Sequence, residues 1–415
     1  MTIVKRAVFV CMACMLYIVI MGAQVNDVSA HASLERQQPA HNEVVTETPD
    51  ILTLEFSEPI NTKYTKIQLY NDRGEQVEVL HPIETGYSDK VTFNTKKSKK
   101  GTYIAVWDAI SLDGHEIEGQ YYFSVGEQTA THIDTSKPFY ADAFWWLGVL
   151  RFMMQASVLI LTGLYIVNRL MAKQGAPTYH ILTKYRSVAW ILIMLISITT
   201  IVYLMTLPQE VIQDLFILKT STWFAFPYIL SMFALSIVLI LFSLKDMETI
   251  WYDAMPVLIF ISLATSGHVW AQSWPIYAIV LRTLHLGGIA LWLGSFAYLL
   301  AYTRVRHQHS YVLILRDVLF KSNITAVLLI IITGILMSVD ATSLQAIVTQ
   351  QTTYSGLWFG KLFYTTLLML LGAVQTFWAM NKKRRIHKPL LYIELVIGLF
   401  LILAGIIMSQ IEIPL

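Results

Sequence analysis

The sequence predicts a multi-domain membrane protein: an N-terminal Ig-like or cupredoxin-like β-sandwich of about a hundred residues, then an all-α bundle of eight transmembrane helices. Two observations predict it. Between His31 and Gln128, short segments alternate apolar and polar residues and are separated by turn residues. From Phe144 onward, apolar runs long enough to cross a bilayer follow one another almost to the C-terminus. The totals agree, because 415 residues exceed one ordinary domain, and 55% hydrophobic with 14% charged residues is too apolar for a soluble protein. A net charge of +2 is close to balance and gives no reason to expect nucleic acid as a partner.

Taken in order, the chain opens with Lys5 and Arg6, an apolar run from Ala7 to Met21, and small residues at Val28 and Ala30. That is the layout of a secretory signal peptide over residues 1–30, with a cut expected after Ala30. The cut makes His31 the first residue of the mature chain. A histidine at a free N-terminus offers one metal two nitrogen donors, the α-amine and the imidazole. Both cysteines, Cys11 and Cys14, are expected to leave with the signal. Any metal must then be held by His, Met, carboxylate or backbone groups.

Residues 31–127 are the expected extracellular sandwich. Strands are predicted at 51–56, 66–70, 90–93, 102–107 and 120–125, where β-branched and aromatic residues recur with period two. The stretch Ser111-Leu112-Asp113-Gly114-His115 adds a carboxylate and a second imidazole two residues apart, in a turn at one end of the sandwich. Together, His31, Asp113 and His115 supply two imidazoles, an amine and a carboxylate. This nitrogen- and oxygen-rich set suits tetragonal Cu(II). No methionine lies between His31 and Gln128, so soft ligands for Cu(I) are missing there. His41, His81 and His132 have no partner at ligand spacing and are expected at the surface.

A polar linker, 128–143, leads into the membrane domain, 144–411. Eight spans are expected at 144–168, 187–206, 221–243, 254–272, 276–303, 318–339, 357–380 and 389–410. Placing the sandwich outside puts Arg169, Lys173, Arg304, Arg306 and the Lys382–Arg385 run on the inner side, and Lys219 alone in the outer loops. That bias sets a multi-pass plasma-membrane topology with an extracellular C-terminus. Ionisable groups inside spans are expensive and therefore candidates for function. His268 and His285, expected about 6 and 13 Å below the outer surface, form two stations of a transport path. Met153 and Met154 add thioethers suited to Cu(I). Arg151, Lys361 and Glu394 are structural pairs or an ion route, and the sequence does not choose.

Two groups of motifs carry family resemblances. His31-Ala32-Ser33-Leu34, Gln38-Pro39-Ala40, Leu54-Glu55-Phe56-Ser57-Glu58-Pro59, Gly101-Thr102-Tyr103, Val106-Trp107, the Asp113-Gly114-His115 turn and Gly119 resemble a CopC copper-binding domain. The resemblance implies Cu(II) bound by His31, Asp113 and His115. Thr265-Ser266-Gly267-His268, Leu284-His285-Leu286, Ala290-Leu291-Trp292-Leu293-Gly294, Tyr354-Ser355-Gly356-Leu357 with Lys361, and Glu394-Leu395 with Gly398 are similar to the CopD copper-transport domain. CopC fused ahead of CopD resembles the YcnJ-type copper importers of Gram-positive bacteria.

That resemblance implies copper uptake, with the copper ion, the lipid bilayer and an extracellular copper donor or reductant as partners. The alternative is a membrane-anchored copper-binding protein for tolerance, buffering or sensing without transport. No Walker motif points to an ATP-driven pump. The reading is of a non-enzyme, since Asp113 would occupy a coordination position that copper oxygen chemistry needs.

Overall fold

The alternating segments fold into eight strands in two sheets that share one core. The computed structural model describes residues 32–409, except 97–98, 112–115, 134–139, 141, 180–185, 247, 271–273, 305–310, 343, 350–351 and 383–385. One sheet has the order β1-β3-β6, with β1 Leu34–Gln38, β3 Ile51–Asn61 and β6 Tyr87–Asn94. The other has the order β2-β8-β7-β4-β5, with β2 Glu43–Val45, β4 Lys66–Tyr70, β5 Gln76–Leu80, β7 Gly101–Ile110 and β8 Glu116–Val125. β2 runs parallel to β8, and the other pairs are antiparallel.

Period two decides which side chains meet. Leu52, Leu54 and Phe56 of β3 point inward, against Ile67 and Leu69 of β4, Phe93 of β6, Trp107 of β7 and Phe123 of β8. Burying each such side chain stabilises the sandwich by about 1.5–3 kcal/mol. All five expected strands are present. Three more join them. β1 and β2 carry little apolar alternation, and in β5 the residues Val77 and Val79 face outward on an edge strand.

Eleven α-helices follow among the described residues: α1 Ala143–Ala172, α2 Arg186–Thr206, α3 Gln209–Phe216, α4 Thr220–Ala225, α5 Pro227–Phe242, α6 Thr249–Ala264, α7 Pro275–Arg304, α8 Val312–Ala341, α9 Leu344–Thr349, α10 Thr353–Ala373 and α11 Lys388–Met408. Six are long and apolar enough to cross a membrane: α1, α2, α7, α8, α10 with its π-helical continuation Val374–Lys382, and α11. The other two expected spans correspond to α5 and α6, apolar helices of 16 residues each. At 1.5 Å per residue these are about 24 Å long.

The expected run 221–243 breaks at Phe226, the residue before Pro227, where the proline ring disfavours helical backbone. The expected run 254–272 starts earlier, at Thr249, and stops at Ala264. Gly267 then takes φ +80°, and a 3-10 turn covers His268–Trp270.

The chain divides into two compact units. One holds Ser29–Trp145 together with Tyr203–Phe226, and the other includes Trp146–Val202 and Pro227–Leu415. Within the helical unit, α1 and α7 touch backbone to backbone. A Cβ added to Gly163 would overlap the Ala290 carbonyl, and one on Gly294 would overlap Gly163.

In the sandwich unit, the segment carrying α3 and α4 is held by an ionic clamp. Asp214 of α3 is buried and accepts from Lys63 Nζ at 2.6 Å, Tyr64 Oη at 2.8 Å and Lys219 Nζ at 3.1 Å. Lys63, then Tyr64, hold its carboxyl well below the usual carboxylate range. Burial, with the bond to Asp214, pushes the Tyr64 hydroxyl up to about 12.

A depressed carboxyl contributes stability above its ordinary value of about 3.9, and this is lost as pH falls below that value. Asp214→Asn is therefore expected to cost about 1–3 kcal/mol in this unit. It should also speed amide hydrogen exchange across residues 209–219, an effect that shrinks in acid below about pH 4.

Candidate metal centre

β3 and the β7–β8 ladder hold the chain next to the expected ligand set. Ala32 is buried in the sandwich core. Ser33 N donates to Ser57 Oγ at 2.8 Å, and Ser57 N donates back to the Ser33 carbonyl at 2.8 Å. Leu34 then pairs with Phe56 in the sheet. On the other side, β7 and β8 form an unbroken ladder from Gly101↔Val125 to Ile110↔Glu116. Ser111, buried at the end of that ladder, bridges to Ile60.

Ser57 and Ile60 are three positions apart on β3, about 10 Å at the rise of a strand. The three expected ligands, His31, Asp113 and His115, lie outside the described residues. Each is a close neighbour in sequence of a residue fixed by β3 or β8: Ala32, Ser111 and Glu116 respectively. Among the described residues, no group of three His, Cys, Asp or Glu side chains could hold a metal ion.

Trp107 packs edge-on against Phe56, with ring centroids 5.4 Å apart and planes at 77°. Its ladder partner is Gly119. A Cβ there would overlap the indole ring, so only glycine lets the tryptophan lie flat across β8. One step closer to the hairpin end, Asp108 faces Glu118. Lys66 Nζ stands 3.4 Å from Asp108. Burial first, then the charges of Asp108 and Asp142, raise the Glu118 carboxyl. His41, His81 and His132 are exposed, as expected.

A family model, described as CopC domain, matches residues 34–126. Protein YobA of Escherichia coli (strain K12) is 36% identical over 99 residues, which are 23% of this chain and 79% of YobA. The chain belongs to the CopC family. A further relative, Copper transport protein CutJ of Bacillus subtilis (strain 168), is 32% identical over 100 residues, 24% of this chain and 18% of CutJ.

Among solved structures, CopC from Methylosinus trichosporium OB3b is 22% identical and matches 25% of this chain and 99% of its own, with a TM-score of 0.22. PcoC, a methionine-rich copper resistance protein from Escherichia coli, is 25% identical over 23% of this chain and 99% of its own, with a TM-score of 0.20. The CopC match ends at residue 126, ahead of α1.

Beyond the CopC domain, the helical unit places the expected path residues unevenly. His285 of α7 sits with Nδ1 2.9 Å from Thr333 Oγ1 of α8. The imidazole lies against Gly334, where an added Cβ would stand 3.4 Å from Cε1. The Thr333 hydroxyl donates to the Leu329 carbonyl, so its oxygen accepts from His285 Nδ1–H. The imidazole also hydrogen-bonds the Ile330 backbone, so α8 holds the ring by more than one contact.

Met154 is fully buried, but Met153 is 50% exposed. Successive helical residues point about 100° apart, so the two methionines do not line one path. His268 lies outside the long α-helix in which it is expected, in the 3-10 turn that follows. The backbone turn at Gly267 carries it past the end of α6. Arg282 donates to the Ser266 carbonyl, and the Arg151 guanidinium lies 4.5 Å from the centroid of the Tyr228 ring. The Thr333 partner was not foreseen. Its signal is a polar residue beside Gly334 within an apolar run.

Gly119→Ala is expected to overpack the sheet and destabilise the CopC domain by about 1–3 kcal/mol. Faster hydrogen exchange along β7 and β8 than in the unsubstituted chain would register it.

Proposed function

We propose that the CopC domain captures Cu(II) outside the plasma membrane and that the helical domain imports the copper. The observation that carries this reading is the CopC match over 34–126, with the flanks of both expected ligand segments held on one short stretch of β3. The α-amine and imidazole of His31, the Asp113 carboxylate and the His115 imidazole form the capture set. The amine and both imidazoles must shed their protons to bind, so capture weakens in acid.

The relative CutJ, a copper transport protein, supports copper as the cargo. Copper then passes to the helical domain, where His285 and the buried Met154 thioether are the best-placed donors. A thioether prefers Cu(I), so the handover takes one electron from an extracellular reductant. The CopC domain and the C-terminus lie outside, by the lysine and arginine bias of the loops.

Electron paramagnetic resonance of the processed chain with one equivalent of Cu(II) is expected to show nitrogen hyperfine structure. His115→Ala should weaken Cu(II) binding by about a hundredfold or more. A spectrum with oxygen ligands alone would sink the capture site.

In cells, His285→Ala is expected to abolish isotopic copper uptake while leaving Cu(II) capture intact. Uptake that does not change when the whole gene is deleted would instead favour an anchored copper buffer.

A further inference from the structure

Two side chains in the helical unit are buried with polar atoms that no described group satisfies. Glu394 of α11 is 1% exposed, and its Oε1 has no hydrogen-bond partner. Gln375, in the π-helical stretch after α10, is 3% exposed, and neither atom of its amide has one. Both lie on facing stripes. Thr365, Leu368 and Gln375 are buried along one helix, and Leu391, Glu394 and Ile402 along the other.

The stripes meet at Gly372. A Cβ added there would stand 3.9 Å from Glu394 Oε1, and Gln375 comes one turn later on the same face. The switch from α to π backbone at Val374 is of a kind often found at functional sites.

No described cation neutralises this carboxyl. On α11, Lys388 is six residues away, about 9 Å along the axis. On α10, Lys361 Nζ lies beside Gly405, eleven residues from Glu394 and about 16 Å along α11. On α7, which meets α11 where Leu293 touches Gly398, the titratable side chains toward this level are Tyr298 and Arg304. The Tyr298 hydroxyl donates to the Pro177 carbonyl. On α8, Phe320 packs on Phe377, while Lys321 is exposed and Asn323 Oδ1 lacks a partner.

A bare carboxylate does not persist in such surroundings. A proton removes the charge, and the unpaired amide of Gln375 is the polar group the facing stripe offers to the acid form. We propose that Glu394 is a proton-exchange site, with Gln375 as the positioning residue that receives its acid form. The step is –COOH giving –COO⁻ and H⁺ when the neighbouring helices part, and the reverse when they close. No electron moves. This proposal does not rest on copper binding, and either can fail without the other.

The test uses the full chain in lipid nanodiscs without copper, treated with dicyclohexylcarbodiimide, which modifies protonated buried carboxyls. Peptide mass spectrometry is expected to find Glu394 labelled, with labelling falling as pH rises from about 5 to 9. The infrared carbonyl band of a protonated acid should fall with it and be absent in E394Q. Q375L should shift the pH midpoint of labelling. Three results would overturn the proposal: no label on Glu394 at any pH, labelling indifferent to pH, or protection by sodium at fixed pH, which would make the occupant a metal cation. The labelling of the unsubstituted chain decides even if E394Q does not fold.

Discussion

Everything the sandwich can do with a metal depends on β3 being used along its whole length. One edge of this strand takes β1 and the other takes β6. Its inward side chains make much of the core. It also reaches past its own sheet, through Ile60, to the end of β7. The start of the domain and the end of its longest hairpin are therefore referred to the same few peptide units. The two segments that carry the proposed ligands, about eighty residues apart in sequence, are thus anchored at Ser33 and Ser111 to one strand, which lowers the entropic cost of closing that long loop.

Much of this was legible in the sequence, for a physical reason. A half-buried strand must alternate, so Ile51–Phe56 and Thr102–Trp107 declare themselves. β1 did not, because Leu34-Glu35-Arg36-Gln37-Gln38 offers the core little and is held by backbone bonds to β3. β5 alternates, but its valines face away from the core. The helices were readable as apolar runs, while their ends were not. Phe226 and Gly267 end or divide runs for reasons of backbone geometry that hydropathy does not carry.

The candidate site was legible as residue types rather than as positions. A histidine expected at the mature N-terminus and an Asp-Gly-His motif signal a ligand set because the donors are few and chemically matched. The partners of the membrane residues were hidden, since Thr333, Gly372 and Gln375 look ordinary in an apolar background. Their significance comes only from which helix each one faces. The helical unit also tempers any simple picture of a bare ion's passage. Arg151, Arg282 and Lys361 bring positive charge into the same helical unit as His285, and a cation meets that field unless a nitrogen or sulfur donor binds it there.

The crossing of α1 and α7 bears on where a passage can run. Because the main chain at Gly163 rests directly on Ala290 and Gly294, there is no side chain at that point to swing aside. No rotamer change can open a gap there. At this crossing the two main chains close the gap themselves, and any conduit through the bundle must skirt that point.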